Sequence, residues 1–175
     1  GISLRYEDLL LQNPGLKDTV EETIRLAKRT SQIIQGIRNL IRRRPGDPVP
    51  VDVRALVEET LLLLHSEFAR RGIRLTTHYD ADIPHPVGER IQLQQLLLNL
   101  LLNAMDALES RATDERRLDV ELRCALPNLL KIIIRDNGCG FDAGETSRIF
   151  EPFYTTKESG IGLGLSICKS VVETH

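Results

Sequence analysis

Hydrophobic and polar positions along the chain fall into two regimes that meet near residue 47. Leu4 to Leu11 reads as a short helical end, and Asn13-Pro14-Gly15 signals a turn, because Gly and Pro punctuate regular structure. From Leu16 the positions Val20, Ile24, Ala27, Ser31, Ile34, Ile37 and Ile41 recur at threes and fours. That spacing lays one apolar seam along a helix of the kind that packs into bundles. The helix closes on Arg42-Arg43-Arg44, cations suited to the negative end of the helix dipole, and Pro45-Gly46-Asp47-Pro48 breaks it. The pattern predicts a helical hairpin over residues 1–47 and a separate domain over residues 48–175.

In the second regime Pro50 to Val53 alternates like a short strand. Asp52 is placed to cap a helix from Val53 to about Arg71, with Leu56, Leu61, Leu64 and Phe68 inward. Ile73 to Tyr79 alternates again, and Pro84 and Pro86 mark a loop. Glu89 to about Ser110 is the longest apolar helix of this half, with Ile91, Leu96, Leu97, Leu100, Leu101, Ala104 and Leu108 inward. Leu118 to Cys124 and Leu129 to Ile134 read as strands joined at Pro127-Asn128. A last helix follows the final glycines, with Leu165, Cys168, Val171 and Val172 inward. Helices layered on a sheet are the expected α+β architecture.

Composition narrows the function classes. A formal net charge of −2 over 175 residues offers no basic surface for nucleic acid. No apolar run nears the roughly 18 residues that span a bilayer, because Asn99 and Asn103 interrupt the leucines. This stretch therefore inserts in no membrane by that criterion, and a cytoplasmic setting is expected. Cys124, Cys139 and Cys168 form no paired spacing, so reduced thiols are expected rather than a disulfide framework or a cysteine metal site.

Three segments carry chemistry. Asn99 and Asn103 stand four apart on one helical face, and burying amides without partners costs a few kcal/mol. They either bond neighbouring loops or water, or offer amide oxygens to a hard cation such as Mg²⁺. Asp136-Asn137-Gly138-Cys139-Gly140 follows an apolar strand. Its carboxylate suits the exocyclic amine of a base, and its glycines suit a close backbone approach. A plain Asn-Gly hairpin turn is the alternative, but the residues after it do not alternate as a strand would. Finally, Phe150-Glu151-Pro152-Phe153-Tyr154-Thr155-Thr156-Lys157 runs into Gly160-Ile161-Gly162-Leu163-Gly164-Leu165 at a helix start. Backbone N–H groups there suit phosphate, and Lys157 or Lys169 adds positive charge. Neither a Rossmann nor a Walker spacing is present.

In this order the segments resemble the N, G1, F and G2 boxes of the histidine kinase branch of the GHKL ATPases, over roughly residues 50–175. The preceding hairpin resembles that family's dimerisation and phosphotransfer segment. The resemblance implies a two-layer α/β sandwich of the Bergerat type, with ATP and Mg²⁺ in a groove under a mobile lid. It assigns Mg²⁺ to Asn103 and adenine to Asp136, with Gly138 and Gly140 beside it. It places Phe150, Thr155, Thr156, Lys157, Gly160, Gly162, Leu163, Gly164 and Leu165 among the nucleotide-binding residues, the glycines with Lys157 embracing the phosphates. Transfer falls to Asn99, Asn103 and Lys157, and the partners implied are ATP or ADP, a second copy of the chain, and a response-regulator receiver domain.

Departures from the family pattern sharpen this. Hydrolytic relatives carry a water-activating Glu where this chain has Asn99, and an amide cannot take that proton. That substitution favours transfer to histidine over ATP hydrolysis; the preceding hairpin argues against a serine-directed kinase of the same superfamily, and the four intact boxes argue against a non-catalytic dimerisation module. His65, His78, His85 and His175 do not match the phosphoacceptor motif, which the family pattern puts shortly before Gly1. The strands that follow the last helix in the family are absent from this sequence. Only Glu158 and Ser159 separate the F and G2 segments, so a compact lid is expected.

The seam from Val20 to Ile41 is too narrow to be satisfied within one hairpin, so the chain is expected to dimerise by forming a bundle. Light scattering should give a dimer mass for the parent and a shift toward monomer for Ile34→Asp. A parent that is monomeric at high micromolar concentration would contradict the seam.

Overall fold

A computed structural model describes residues 48–126, 129–142, 144–157 and 160–175, together with Thr19 and Thr23. Apart from those two threonines the expected hairpin lies outside the described residues, as do Pro127-Asn128 and the short Glu158-Ser159 linker.

The described chain runs β1 (Val49–Pro50), α1 (Val53–Leu63), α2 (His65–Arg70), β2 (Arg74–Tyr79), β3 (Val87–Gly88) and α3 (Arg90–Ala107). Two 3₁₀ turns, β4 (Arg117–Leu126), β5 (Leu129–Asp136) and α4 (Gly164–Thr174) complete it. β4 is central: it pairs parallel with β2, Arg74 opposite Arg117, and antiparallel with β5, Leu118 opposite Asp136. β1 and β3 form a separate antiparallel pair. Leu118, Val120 and Leu122 are buried at every second position of β4, which turns one face of the sheet into the core floor. Leu56 and Val57 of α1, Leu97, Leu101 and Met105 of α3, and Cys168 of α4 join them in one cluster. Helices on a sheet are thus the architecture that the pattern predicts.

Local chemistry sets the helix ends. Asp52 Oδ1 accepts from the Ala55 N–H at 2.9 Å and caps α1 as expected. The helix predicted to run on to Arg71 instead breaks at Leu64. Buried Thr60 donates its hydroxyl to the Leu56 carbonyl at 2.7 Å, a back-bond that bends helices, and Leu62 and Leu63 just beyond it face solvent.

α3 has no capping side chain of its own; His175 supplies one, its Nε2 accepting from the Glu89 N–H at 2.9 Å. The ring's Nδ1 then carries the proton and donates to the Val171 carbonyl at 2.8 Å. A Cβ at Gly88 would meet this ring at 2.3 Å, so the glycine makes room for the staple between the end of α4 and the start of α3. Farther along, Cys168 Sγ lies 3.8 Å from the Leu96 carbonyl, and burial pushes its thiol up to about 11 while a hydrogen bond with Asn99 pulls it down.

Two expected core positions are solvent-exposed. Ile91 lies off the arc defined by Leu97, Leu101, Met105 and Leu108, and Val172 stands in the last turn of α4, where His175 makes the contact instead. His65, His78 and His85 are exposed, as ordinary surface histidines are.

At the end of α2 the Arg70 guanidinium, then that of Arg71, holds the Glu67 carboxyl at about 2, below its ordinary 4.5. A depressed carboxyl contributes stability that is complete above its unfolded value and lost as pH falls through the folded one. Glu67→Gln should therefore lower stability near neutrality by about 1 kcal/mol or less, the range of exposed ion pairs. In denaturant titrations the gap to the parent should close as pH falls from 4.5 towards about 2. A gap that persists at the acid end would contradict the pairing.

Candidate functional site

At about 100° per residue, the buried residues of α3 cover roughly half its circumference, and Asn99, Asn103 and Asp106 fall together on one flank. All three are half-buried. Asn99 is the member beside α4, close enough to Cys168 to lower its thiol against the upward push of burial. Asn103 and Asp106 face a lysine from far along the chain: Lys157 Nζ donates to Asn103 Oδ1 at 3.1 Å and to Asp106 Oδ2 at 2.7 Å. Gly164, the first residue of α4, sits against the same amide, since a Cβ there would lie 3.8 Å from Asn103 Nδ2.

The loop after β5 is fastened to the end of the same helix. Gly138 packs so tightly on Ala107 that a Cβ would come within 2.6 Å of its carbonyl carbon and oxygen. The next N–H, of Cys139, donates to that carbonyl at 3.3 Å. Asn137 ties the loop sideways, accepting from the Arg117 N–H and donating to the Glu115 carbonyl, each at 2.9 Å. Asp136 bends over it, with Oδ1 accepting from the Gly138 N–H at 2.9 Å. The carboxylate is exposed at the end of β5 and thereby oriented. Gly138, expected to allow a close approach, makes room for Ala107. Gly140, with φ +69° and open space around its Cβ position, supplies the left-handed turn that follows.

Residues 144–157 form a turn-rich strap that ends at Lys157. Its Phe153 N–H donates to the Gly162 carbonyl at 2.9 Å, and Phe153 adopts φ 68°, a costly conformation for a bulky residue. Gly162 pairs with it at φ +71°, where a Cβ would sit 2.4 Å from the Phe153 carbonyl carbon. Thr155 Oγ1 accepts from the Lys157 N–H at 3.1 Å, and the Gly160 N–H donates to the Lys157 carbonyl at 3.1 Å, so Thr155, Lys157 and Gly160 make one turn. Phe150 and Thr156 stand exposed on the strap, while Leu163 is buried and Leu165 half-buried under it.

Asn103, Lys157 and Gly164, expected on separate segments, thus come together, and Asp136 is anchored to α3 one turn beyond Asn103. Sequence reading missed Asp106 and, behind it, Arg71, whose Nη1 donates to Asp106 Oδ1 at 3.2 Å. The available signal was the spacing of three from Asn103, which puts both on one face. No helix among the described residues is long and apolar enough to cross a membrane.

Comparison with known proteins places the chain in a family. The sequence model of the family described as "Histidine kinase-, DNA gyrase B-, and HSP90-like ATPase" matches residues 88–175. Sensor histidine kinase TmoS of Ectopseudomonas mendocina is 31% identical over 160 residues, 91% of this chain and 16% of TmoS, so the chain spans a small part of that relative. The mycobacterial sensor histidine kinase MprB structure is 29% identical with TM-score 0.61, covering 73% of this chain and 80% of that one. Histidine kinase ThkA, solved in complex with response regulator protein TrrA, shares the fold with TM-score 0.74 at 21% identity, covering 99% of this chain and 49% of that one. Because the family match spans half of the sequence, from the start of α3 to the end of α4, the chain belongs to the histidine kinase-, DNA gyrase B-, and HSP90-like ATPase family and carries the ATP-binding domain of sensor histidine kinases.

Proposed function

We propose that this chain is the catalytic part of a sensor histidine kinase. It holds Mg²⁺ and ATP at residues 48–175 and transfers the γ-phosphoryl group to a histidine imidazole, for relay to an aspartate of a response-regulator receiver domain. The observation that carries this reading is the Lys157 to Asn103 bond at 3.1 Å, which joins the strap to the flank of α3 across 54 positions of sequence. The ThkA complex with TrrA supports a receiver domain as the partner, and the apolar seam of residues 16–41 supports a homodimer.

The roles follow from the geometry. Asp136, oriented by the Gly138 N–H, accepts from the adenine amine. Gly162, Leu163, Gly164 and Leu165 present backbone N–H groups to phosphate around the start of α4, Gly160 shapes the turn ahead of them through its N–H to the Lys157 carbonyl, and Thr155 and Thr156 stand nearby on the strap. Asn103 Oδ1 already accepts from one cation, the Lys157 ammonium, and an amide oxygen of that kind fits Mg²⁺. No cluster of three or more Asp, Glu, His or Cys suited to a metal occurs among the described residues, so phosphates and water complete such a site. The metal, when bound, neutralises charge that develops on the phosphoryl oxygens. Lys157 adds a second positive charge from the strap. Asn99 cannot deprotonate water, so the γ-phosphoryl group waits for a better nucleophile, the imidazole.

Asp136→Asn should weaken ADP binding about ten- to a hundredfold, since a hydrogen bond with a charged partner contributes about 1.5–3 kcal/mol. Calorimetry with ADP decides it, and parent-like affinity in the variant removes Asp136 from the base site. Asn103→Ala should leave ADP binding in EDTA unchanged and abolish the gain on adding Mg²⁺. Rapid release of free phosphate from ATP by the parent would favour the hydrolase reading instead.

A further inference from the structure

Asp106 lies outside every motif that the sequence resembles, yet it is the best-held group on the flank of α3. One carboxylate oxygen accepts from Lys157 Nζ at 2.7 Å and the other from Arg71 Nη1 at 3.2 Å. Arg71 is itself held: it donates to Glu67 Oε1 and Glu109 Oε1, each at 2.8 Å, with its side chain only 16% exposed. Its carbonyl accepts from Arg116 Nη1 at 2.8 Å. A relay of alternating charge therefore runs from α2 through Arg71 and Asp106 to the strap, and ends with the ammonium on Asn103 Oδ1 at 3.1 Å.

We propose that Asp106 is a positioning residue that holds the Lys157 ammonium on Asn103 Oδ1 in the nucleotide-free chain, so that the strap supplies an internal cation that metal-bound nucleotide must displace. This rests on the reading of Asn103 as a residue of the nucleotide site. An ammonium and a divalent cation repel each other at one amide oxygen, so Lys157 leaves Asn103 when the metal arrives and is released toward the phosphates. Asp106 loses one partner and keeps Arg71. Among the described residues, tethers of the strap include Lys157 on Asp106 and Asn103, and Phe153 on the Gly162 carbonyl.

The test is amide hydrogen exchange at Phe153 and Tyr154 in the 175-residue chain, for the parent, Asp106→Asn, Lys157→Met and the double variant. Without nucleotide, Asp106→Asn should speed exchange about two- to fivefold, the size expected of an exposed ion pair. Lys157→Met should do the same, and adding Asp106→Asn to it should change nothing more. Equal exchange in parent and Asp106→Asn overturns the proposal. An Asp106→Asn effect that survives in the Lys157→Met background also overturns it, because it would reach the strap through Arg71 alone. Mg²⁺ with ADP should erase the difference between parent and Asp106→Asn, whereas ADP in EDTA should preserve it. A difference that survives Mg²⁺ with ADP overturns the displacement. If ADP binds to none of the four proteins, the nucleotide reading fails, while the exchange without nucleotide still decides the role of Asp106.

Discussion

The close approach of Gly138 to the carbonyl of Ala107 is the constraint on which the site depends. Two structural layers meet there: β5 has left the sheet, and α3 is ending above it. With no Cβ in the way, the loop closes onto the helix, and the Cys139 N–H takes up the Ala107 carbonyl. That carbonyl is one of those a helix end leaves without an intrahelical partner, and the loop shares it with the Ser110 hydroxyl, which donates to it at 2.9 Å. The same contact fixes the Asp136 carboxylate one helical turn from Asn103. A fold that merely stacked a helix on a sheet would leave these groups free to drift by several ångströms.

Around this point, polar groups act by lining one flank of a helix whose other side is core. Leu97, Leu101 and Met105 hold α3 on the sheet, each such burial contributing about 1.5–3 kcal/mol. Asn103 and Asp106 consequently sit at the edge of the core, dry enough for directed hydrogen bonds and open enough for a ligand. His175 at one end of α3 and Gly138 at the other fix both ends of that flank. The strap, by contrast, meets the rest of the described residues through a few contacts at Phe153 and Lys157, and Arg148 stacks 4.5 Å from the Tyr154 ring centroid within it.

Much of this was legible in the sequence, for identifiable reasons. Leu118, Val120 and Leu122 alternate, and the leucines of α3 recur at helical spacing, so floor and roof of the core announced themselves. The Asn, Asp and glycine segments were likewise visible as chemistry out of place in apolar surroundings. Other features left no local signal. Thr60 reads as a tolerable helix residue, and only its burial turns its hydroxyl back onto Leu56 and shortens α1. Phe153 carries nothing that advertises a positive φ; it is imposed by Gly162 across the turn. Asp106 reads as a solvated charge until Arg71 and Lys157 arrive from 35 and 51 positions away. Gly138 was visible as a glycine of close approach, but no local signal indicated that α3 is the neighbour it packs against.

The most direct measurement of the account is therefore the ADP affinity of Gly138→Ala, read by calorimetry beside its stability in denaturant. The added methyl group should cost about 1–3 kcal/mol of stability, as overpacking does, and leave the chain folded. Because it lifts the Asp136 loop from α3, ADP affinity should fall by about tenfold or more, a loss of the order that ångström-scale misplacement brings. A folded Gly138→Ala chain that binds ADP like the parent would contradict the claim that this contact assembles the site.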